Sequence, residues 1–230
     1  MAQNMFDTLL DLPLFQGLGQ TDLTRIIEST HLDFSTLQQG QELVRQDALC
    51  TGVVLVIEGR LRQHTQSADR TWSVEEEAGR RSLIGLDVLY GGTRTHRSTY
   101  TAMGPTRVVF VDKRTVGALT AYFEVFRLNV LNNLTTQAMR RAALAWQPAP
   151  TTLEGHIIAF MRAHVSHPAG PKLFRISQQQ LGRYLGQDYR FIAKALRRME
   201  AAQLIKKEYK AISTPAFETL INYGRSITTQ

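Results

Sequence analysis

Tyr189, Arg190, Lys194, Arg197 and Arg198 fall within one ten-residue stretch of the chain. A guanidinium presents a planar fork of N–H donors that matches the O6 and N7 edge of guanine, and lysine adds a point charge for phosphate. Between these cations, Ile192, Leu196 and Met199 recur at i, i+4 and i+7. That period buries one stripe of a helix and leaves the cationic residues on the other side. An apolar back and a cationic front suit a helix that lies in a DNA major groove.

The flanking residues must position that helix. Residues 176–205 read ISQQQLGRYLGQDYRFIAKALRRMEAAQLI, the pattern of a helix-turn-helix. Ser177 and Gln180 form an S-x-x-Q capping box that opens the first helix, and Asp188 is a good N-cap for the second. Gly182 lets the helices approach, Gly186 permits a left-handed turn, and Ile192 plugs the core beneath the second helix. Ser177, Gln179, Tyr189, Arg190, Lys194 and Arg197 are the candidate DNA contacts in this stretch. An ordinary helical hairpin with a solvated basic face is the competing reading. The two glycines, two caps and the charge pattern together argue against it.

Charge is segregated in the same sense. Residues 1–150 hold 15 Lys/Arg and 15 Asp/Glu, whereas residues 151–230 hold 12 against 5. The formal net charge of +7 therefore sits wholly in the last third, as expected of a phosphate-binding module. A membrane surface also attracts cations, but no basic amphipathic helix with an exposed apolar face is visible. No apolar run approaches the length of a bilayer span, and the N-terminus lacks the features of a signal peptide. One cysteine, Cys50, excludes an internal disulfide and fits a reducing compartment. A soluble, cytoplasmic protein is expected.

The N-terminal half has another texture. A short helix over Thr21–Ser29, capped by Thr21 or Asp22, precedes strand-like runs at Leu43–Arg45, Val53–Ile57, Arg60–His64, Thr71–Glu75 and Arg107–Val111. Glu58-Gly59 reads as a hairpin turn between two of them. Strands this short suggest a barrel or roll. From Thr120 to Trp146 no Gly or Pro interrupts a helical pattern. Tyr122, Val125, Leu128, Leu131, Thr135, Ala138, Ala142 and Ala145 form one narrow stripe along it. The stripe could pack inside the monomer, but its length favours a dimer seam. Gln147-Pro148-Ala149-Pro150 ends the helix and makes a hinge. The implied division is 1–119, 120–147 and 148–230.

A roll, a long helix, a hinge and a helix-turn-helix in this order resemble the Crp/Fnr family of bacterial transcription regulators, over nearly the whole chain. GVVLVIEGRLR at 52–62 resembles the roll's hairpin, and 176–205 aligns with the family's helix-turn-helix without a gap. The segment LIKKEYKAIS at 204–213 looks like the family's wing, with Lys206, Lys207 and Lys210 placed for phosphates. The resemblance implies an α+β fold with an N-terminal β-roll of the cyclic-nucleotide-binding jelly-roll kind, a long dimerisation helix and a C-terminal winged helix-turn-helix. It implies a homodimer on palindromic double-stranded DNA, with RNA polymerase as a further partner.

Two departures from the family pattern stand out. Members that read the best-known half-site carry Arg, Glu and Arg on the recognition helix, where this chain has Tyr189, Arg190 and Lys194. A guanidinium in place of the carboxylate exchanges a cytosine contact for a guanine contact, so the DNA sequence read must differ. Nucleotide-binding members have a G-E-L-type turn whose Glu holds the ribose, followed by an Arg-Ser pair on the phosphate. Here Gly85 matches, Leu86 replaces the Glu, Asp87 comes one position late, and Arg97-Ser98 matches the phosphate pair. Arg97 is either a phosphate ligand or a salt-bridge partner. Control by cyclic AMP is not expected. The alternative is a cyclic-nucleotide-responsive regulator with Asp87 or Arg97/Ser98 holding the ligand.

Other chemistries find little support. An iron–sulfur cluster needs about four cysteines. His164-x-x-His167 has metal-like spacing without a Cys or acidic partner nearby, and reads as a solvated helix end. Cys50 lacks a resolving cysteine, and Glu75-Glu76-Glu77 reads as a solvated strand end. No nucleophile elbow, phosphate-binding glycine loop or zinc-type His-Glu spacing is present, so neither catalytic residues, nor a metal site, nor a cofactor is expected. A third class, a regulatory module that docks on a protein partner, would not need a groove-reading helix.

Overall fold

The computed structural model describes residues 2–228. The chain folds as two compact units. One comprises the chain up to Arg62 together with Ala78–Ala143, the other Gln63–Glu77 with the chain from Leu144 onward. The first unit opens with α1 (Ala2–Leu10), α2 (Gln20–Ser29), β1 (Asp33–Leu37), β2 (Glu42–Val44) and β3 (Gly52–Glu58). Strand β4 (Leu61–Gln66) runs into the second unit and β5 (Ser73–Ala78) runs back. Then come β6 (Leu83–Ile84), α3 (Leu86–Leu89), β7 (Thr99–Ala102), β8 (Thr106–Asp112), α4 (Lys113–Tyr122) and α5 (Glu124–Ala145). The second unit continues with α6 (Leu153–Ala163), β9 (Lys172–Arg175), α7 (Gln178–Leu185) and α8 (Tyr189–Ala201). It ends with β10 (Lys206–Glu208), β11 (Ala211–Thr214) and α9 (Phe217–Thr228).

Strand alternation explains why VVLVI is apolar throughout. Successive side chains of β3 point to opposite faces. Val53, Leu55 and Ile57 join Val109 and Val111 of β8 in a core with Leu9, Leu23, Ile26, Val116 and Phe126 of the helices. Val54 and Val56 enter a second core with Leu37, Leu61, Ile84 and Val108. The strands order as β1-β8-β3-β6, all antiparallel, and β2 pairs with β7, which lies beside β4. This is a jelly-roll-like antiparallel unit.

Three local expectations change. Strand β3 bonds to β6 and β8, leaving no edge for β4, which belongs to another sheet. Glu58-Gly59 is therefore a corner between sheets and not a hairpin turn. Gly59 is needed there because its φ is +88° and a Cβ would come within 2.6 Å of the Pro105 carbonyl oxygen. Helix α2 starts at Gln20 behind Gly19, with no side-chain cap. Thr21 and Asp22 lie in its first turn, where Asp22 complements the helix dipole. The helix expected from Thr120 breaks at Phe123, which adopts extended backbone and packs against the first core. Helix α5 begins after the break.

The second unit's strands order as β10-β11-β9-β5-β4, so the segment Gln63–Glu77 is part of its sheet. Ser73, Val74 and Glu75 pair with Arg175, Phe174 and Leu173 of β9. Trp72 and Val74 lie in one core with Phe174, Ile192, Leu196, Met199 and Phe217. Trp72 donates from Nε1 to the Tyr184 hydroxyl at 2.8 Å. Glu76 is not at a solvated strand end. It is buried, 3.4 Å from the equally buried Lys172 ammonium, and accepts from the backbone N–H groups of Ser166 and His167. A buried carboxylate needs such partners, and a strand bordered by charges gives no sequence sign of them.

Candidate nucleic-acid interface

Helices α7 and α8 are joined by Gly186, Gln187 and Asp188. Ser177 Oγ accepts from the Gln180 N–H at 3.2 Å, and Gln180 Oε1 accepts from the Ser177 N–H at 2.9 Å, completing the capping box. Gly186 has φ +64° and ends α7. The close approach at Gly182 is to the turn itself, since a Cβ there would lie 2.6 Å from the Gln187 carbonyl oxygen. Ile192, Ala195, Leu196 and Met199 of α8 are fully buried, so the apolar back of the helix faces the unit's core.

The opposite side of α8 presents Tyr189, Arg190, Lys194 and Arg197 to solvent, with Phe191 beside them at 59% exposure. Arg198 departs from this set, because its Nε donates to Glu154 of α6. Asp188 caps α8 by accepting from the Arg190 N–H at 2.8 Å. The same carboxylate receives Arg190 Nε at 3.0 Å and Nη2 at 3.2 Å. These bonds lower the Asp188 pKa and raise that of Arg190.

A groove of about 390 Å³ beside the turn is lined by Gln179, Gly182, Arg183, Gly186, Gln187 and Tyr189. It unites Gln179 and Tyr189 and adds Arg183 and Gln187, which sequence reasoning passed over. Their exposure follows from the last turn of α7 and the link to α8, a position that charge pattern alone does not mark. Ser177 is half-buried, with its hydroxyl oxygen occupied by the cap.

Strands β10 and β11 form the hairpin expected of a wing, with Lys206 opposite Ser213 and Lys207 opposite Ile212. Lys206 and Lys210 are exposed, and Lys210 takes φ +52° in the turn. Lys207 differs. Its ammonium is 3.1 Å from Glu200, which also accepts the Lys207 N–H at 2.7 Å. Those bonds hold the Glu200 carboxyl below the usual carboxylate range.

The segment Gln63–Glu77 alters the charge balance. It brings Arg70 and four acids, Asp69, Glu75, Glu76 and Glu77, into the second unit. Two of these acids are already paired, Glu75 with Arg175 at 2.7 Å and Glu76 with Lys172. The cations on α8 and at the wing tip keep their exposed positions.

In the first unit, Gly85 has φ +91°, and a Cβ there would lie 2.9 Å from the Gly52 carbonyl oxygen and 3.1 Å from Cys50 Sγ. The backbone thus requires this glycine whatever the pocket holds. Leu86 is buried in the helix-side core. Asp87 lies 3.4 Å from Arg97 and 3.3 Å from Arg141 of α5, and Ser98 is buried. Arg97 pairs with Asp87 through Nε while its side chain stays 62% exposed. Cys50 donates to the Gly52 carbonyl at 3.2 Å, and burial pushes its thiol pKa up, away from thiolate chemistry. His164 meets Trp72 edge-on at 4.8 Å between ring centroids. Among the described residues no group of three His, Cys, Asp or Glu side chains could hold a metal ion, and no helix is long and apolar enough to cross a membrane.

No protein-family model matches this sequence, and no curated protein does. Solved structures do match. The Thermus thermophilus catabolite activator protein is 17% identical, covers 94% of this chain and 99% of its own, and superposes with a TM-score of 0.50. A Eubacterium rectale chain described as a transcriptional regulator of the Crp/Fnr family is 16% identical over 93% of this chain and 98% of its own, with a TM-score of 0.52. At these identities the likeness is one of architecture. The chain has the fold of the Crp/Fnr-type regulators, from the N-terminal roll through the long helix to the winged helix-turn-helix.

Proposed function

We propose that this protein is a sequence-specific DNA-binding transcription regulator, without enzymatic activity, that acts as a homodimer on a palindromic site. The observation that carries the reading is α8. Its back is locked into a core, and Tyr189, Arg190 and Lys194 are held out from its first two turns, where a recognition helix meets base edges, with Arg197 exposed further along. Lys206 and Lys210 at the wing suit phosphates. The fold shared with regulators supports the same reading. The partners are double-stranded DNA and RNA polymerase, and the chain works in the cytoplasm.

The dimer seam is assigned to α5. One side of this helix packs Phe126 and Val130 into its own core, while Leu128, Leu131 and Met139 are exposed. Cyclic AMP is not the effector, because Leu86 offers no ribose partner and Asp87 occupies Arg97. Salt dependence of duplex binding by the full chain tests the reading. The logarithm of the binding constant should fall linearly with log salt, by about 0.9 in slope for each phosphate neutralised. Absent or salt-independent binding would overturn it, and would favour a module that docks on a protein.

A further inference from the structure

Arg190 is not simply an exposed cation. Asp188 binds the side edge of its guanidinium through Nε and Nη2, and binds its backbone N–H as well. A guanidinium has five N–H donors. Two are used here, one from Nε and one from Nη2. The end-on pair, one hydrogen from each of Nη1 and Nη2, is left over. That pair has the spacing that engages guanine O6 and N7 together. The side chain remains 75% exposed, so this edge is reachable.

We propose that Asp188 is a positioning residue for base readout: besides capping α8, its carboxylate fixes the guanidinium plane of Arg190 so that the outer fork is set in advance for one guanine. This rests on α8 being the base-reading helix. A flexible arginine must be ordered on binding at an entropic cost, and pre-organisation lowers that cost only for the base that fits the held geometry. The expected gain is therefore in discrimination and not in general affinity. The carboxylate itself repels DNA phosphate, so removing its charge should leave non-specific binding unchanged or tighter.

The test uses the full-length protein, its selected DNA site, and the Asp188→Asn and Asp188→Ser variants. Asn and Ser are N-caps as good as Asp, so α8 keeps its start. Thermal unfolding checks that both variants fold as the parent does. The guanine read by Arg190 is the base at which Arg190→Ala relaxes preference. Discrimination at that base should fall by about five- to tenfold in Asp188→Asn and Asp188→Ser, within the range a bidentate contact confers. Binding to random DNA should be unchanged or tighter. In the Arg190→Ala background, Asp188→Asn should have no further effect on discrimination. Unchanged discrimination in both cap variants, an equal loss on every sequence, or an Arg190→Ala variant with full preference would each overturn the proposal. A wild-type protein that selects no sequence would instead defeat the functional reading, a separate result.

Discussion

At the scale of the residue, the side chains that look alike in sequence differ in what already holds them. Lys206, Lys207 and Lys210 are three lysines within five positions, yet Lys207 is bound to Glu200 while Lys206 and Lys210 stand exposed on the hairpin. Replacing Lys206 or Lys210 with Ala should weaken all duplexes alike and flatten the log K against log salt slope by about 0.9. Lys207→Ala should change the slope by less, because its counter-charge is already in place. Equal slopes for all three variants in a fluorescence titration would contradict that ranking. The caps at Ser177 and Asp188 were legible because their local spacing dictates their bonds. Arg198 and Glu76 were not, since their partners Glu154 and Lys172 lie 44 and 96 positions away and no local pattern links them.

At the scale of the element, the helix-turn-helix and the strands of the roll follow from periodicity and punctuation, while pairing between strands does not. The β-branched run VVLVI reveals a strand, but only the sheet shows that its neighbours are β6 and β8. The same limit hid the segment Gln63–Glu77, which packs with the winged helix far along the chain. A fragment of residues 148–230 would therefore lose Trp72 and Val74 from its core and leave Lys172 buried without Glu76. Breaking a buried ion pair costs about 3–5 kcal/mol, a large share of the roughly 5–15 kcal/mol that holds a domain together. Circular dichroism of that fragment should show a broad or absent unfolding transition, and a cooperative one matching the full chain would refute the assignment. Helix α5 carries its own prediction. A charge at Leu128 stays in water in a monomer but would be buried without a partner in a seam. Leu128→Glu should sediment as a folded monomer and lose palindrome binding; a dimer that survives would move the interface elsewhere.

At the scale of the whole molecule, the residues that resemble an effector turn serve the roll's own packing and ion pairs. Gly85 is required by the backbone, Leu86 belongs to the core, and Asp87 pairs with Arg97 and Arg141. A cyclic nucleotide would lose its ribose partner and bring its phosphate against a carboxylate, losses of roughly 1–3 kcal/mol each. Calorimetric titration with micromolar cyclic AMP should show no binding and no change in DNA affinity. A micromolar dissociation constant abolished by Arg97→Ala would reverse this conclusion. The central claim is that the two-unit chain reads DNA sequence as a dimer, and selection of bound duplexes from a random pool by the full-length protein tests it most directly. The account predicts an inverted repeat with half-sites about one helical turn apart, roughly 10 base pairs, containing a guanine whose preference disappears in Arg190→Ala. A pool that gains no motif, or a motif without two-fold symmetry, would contradict it.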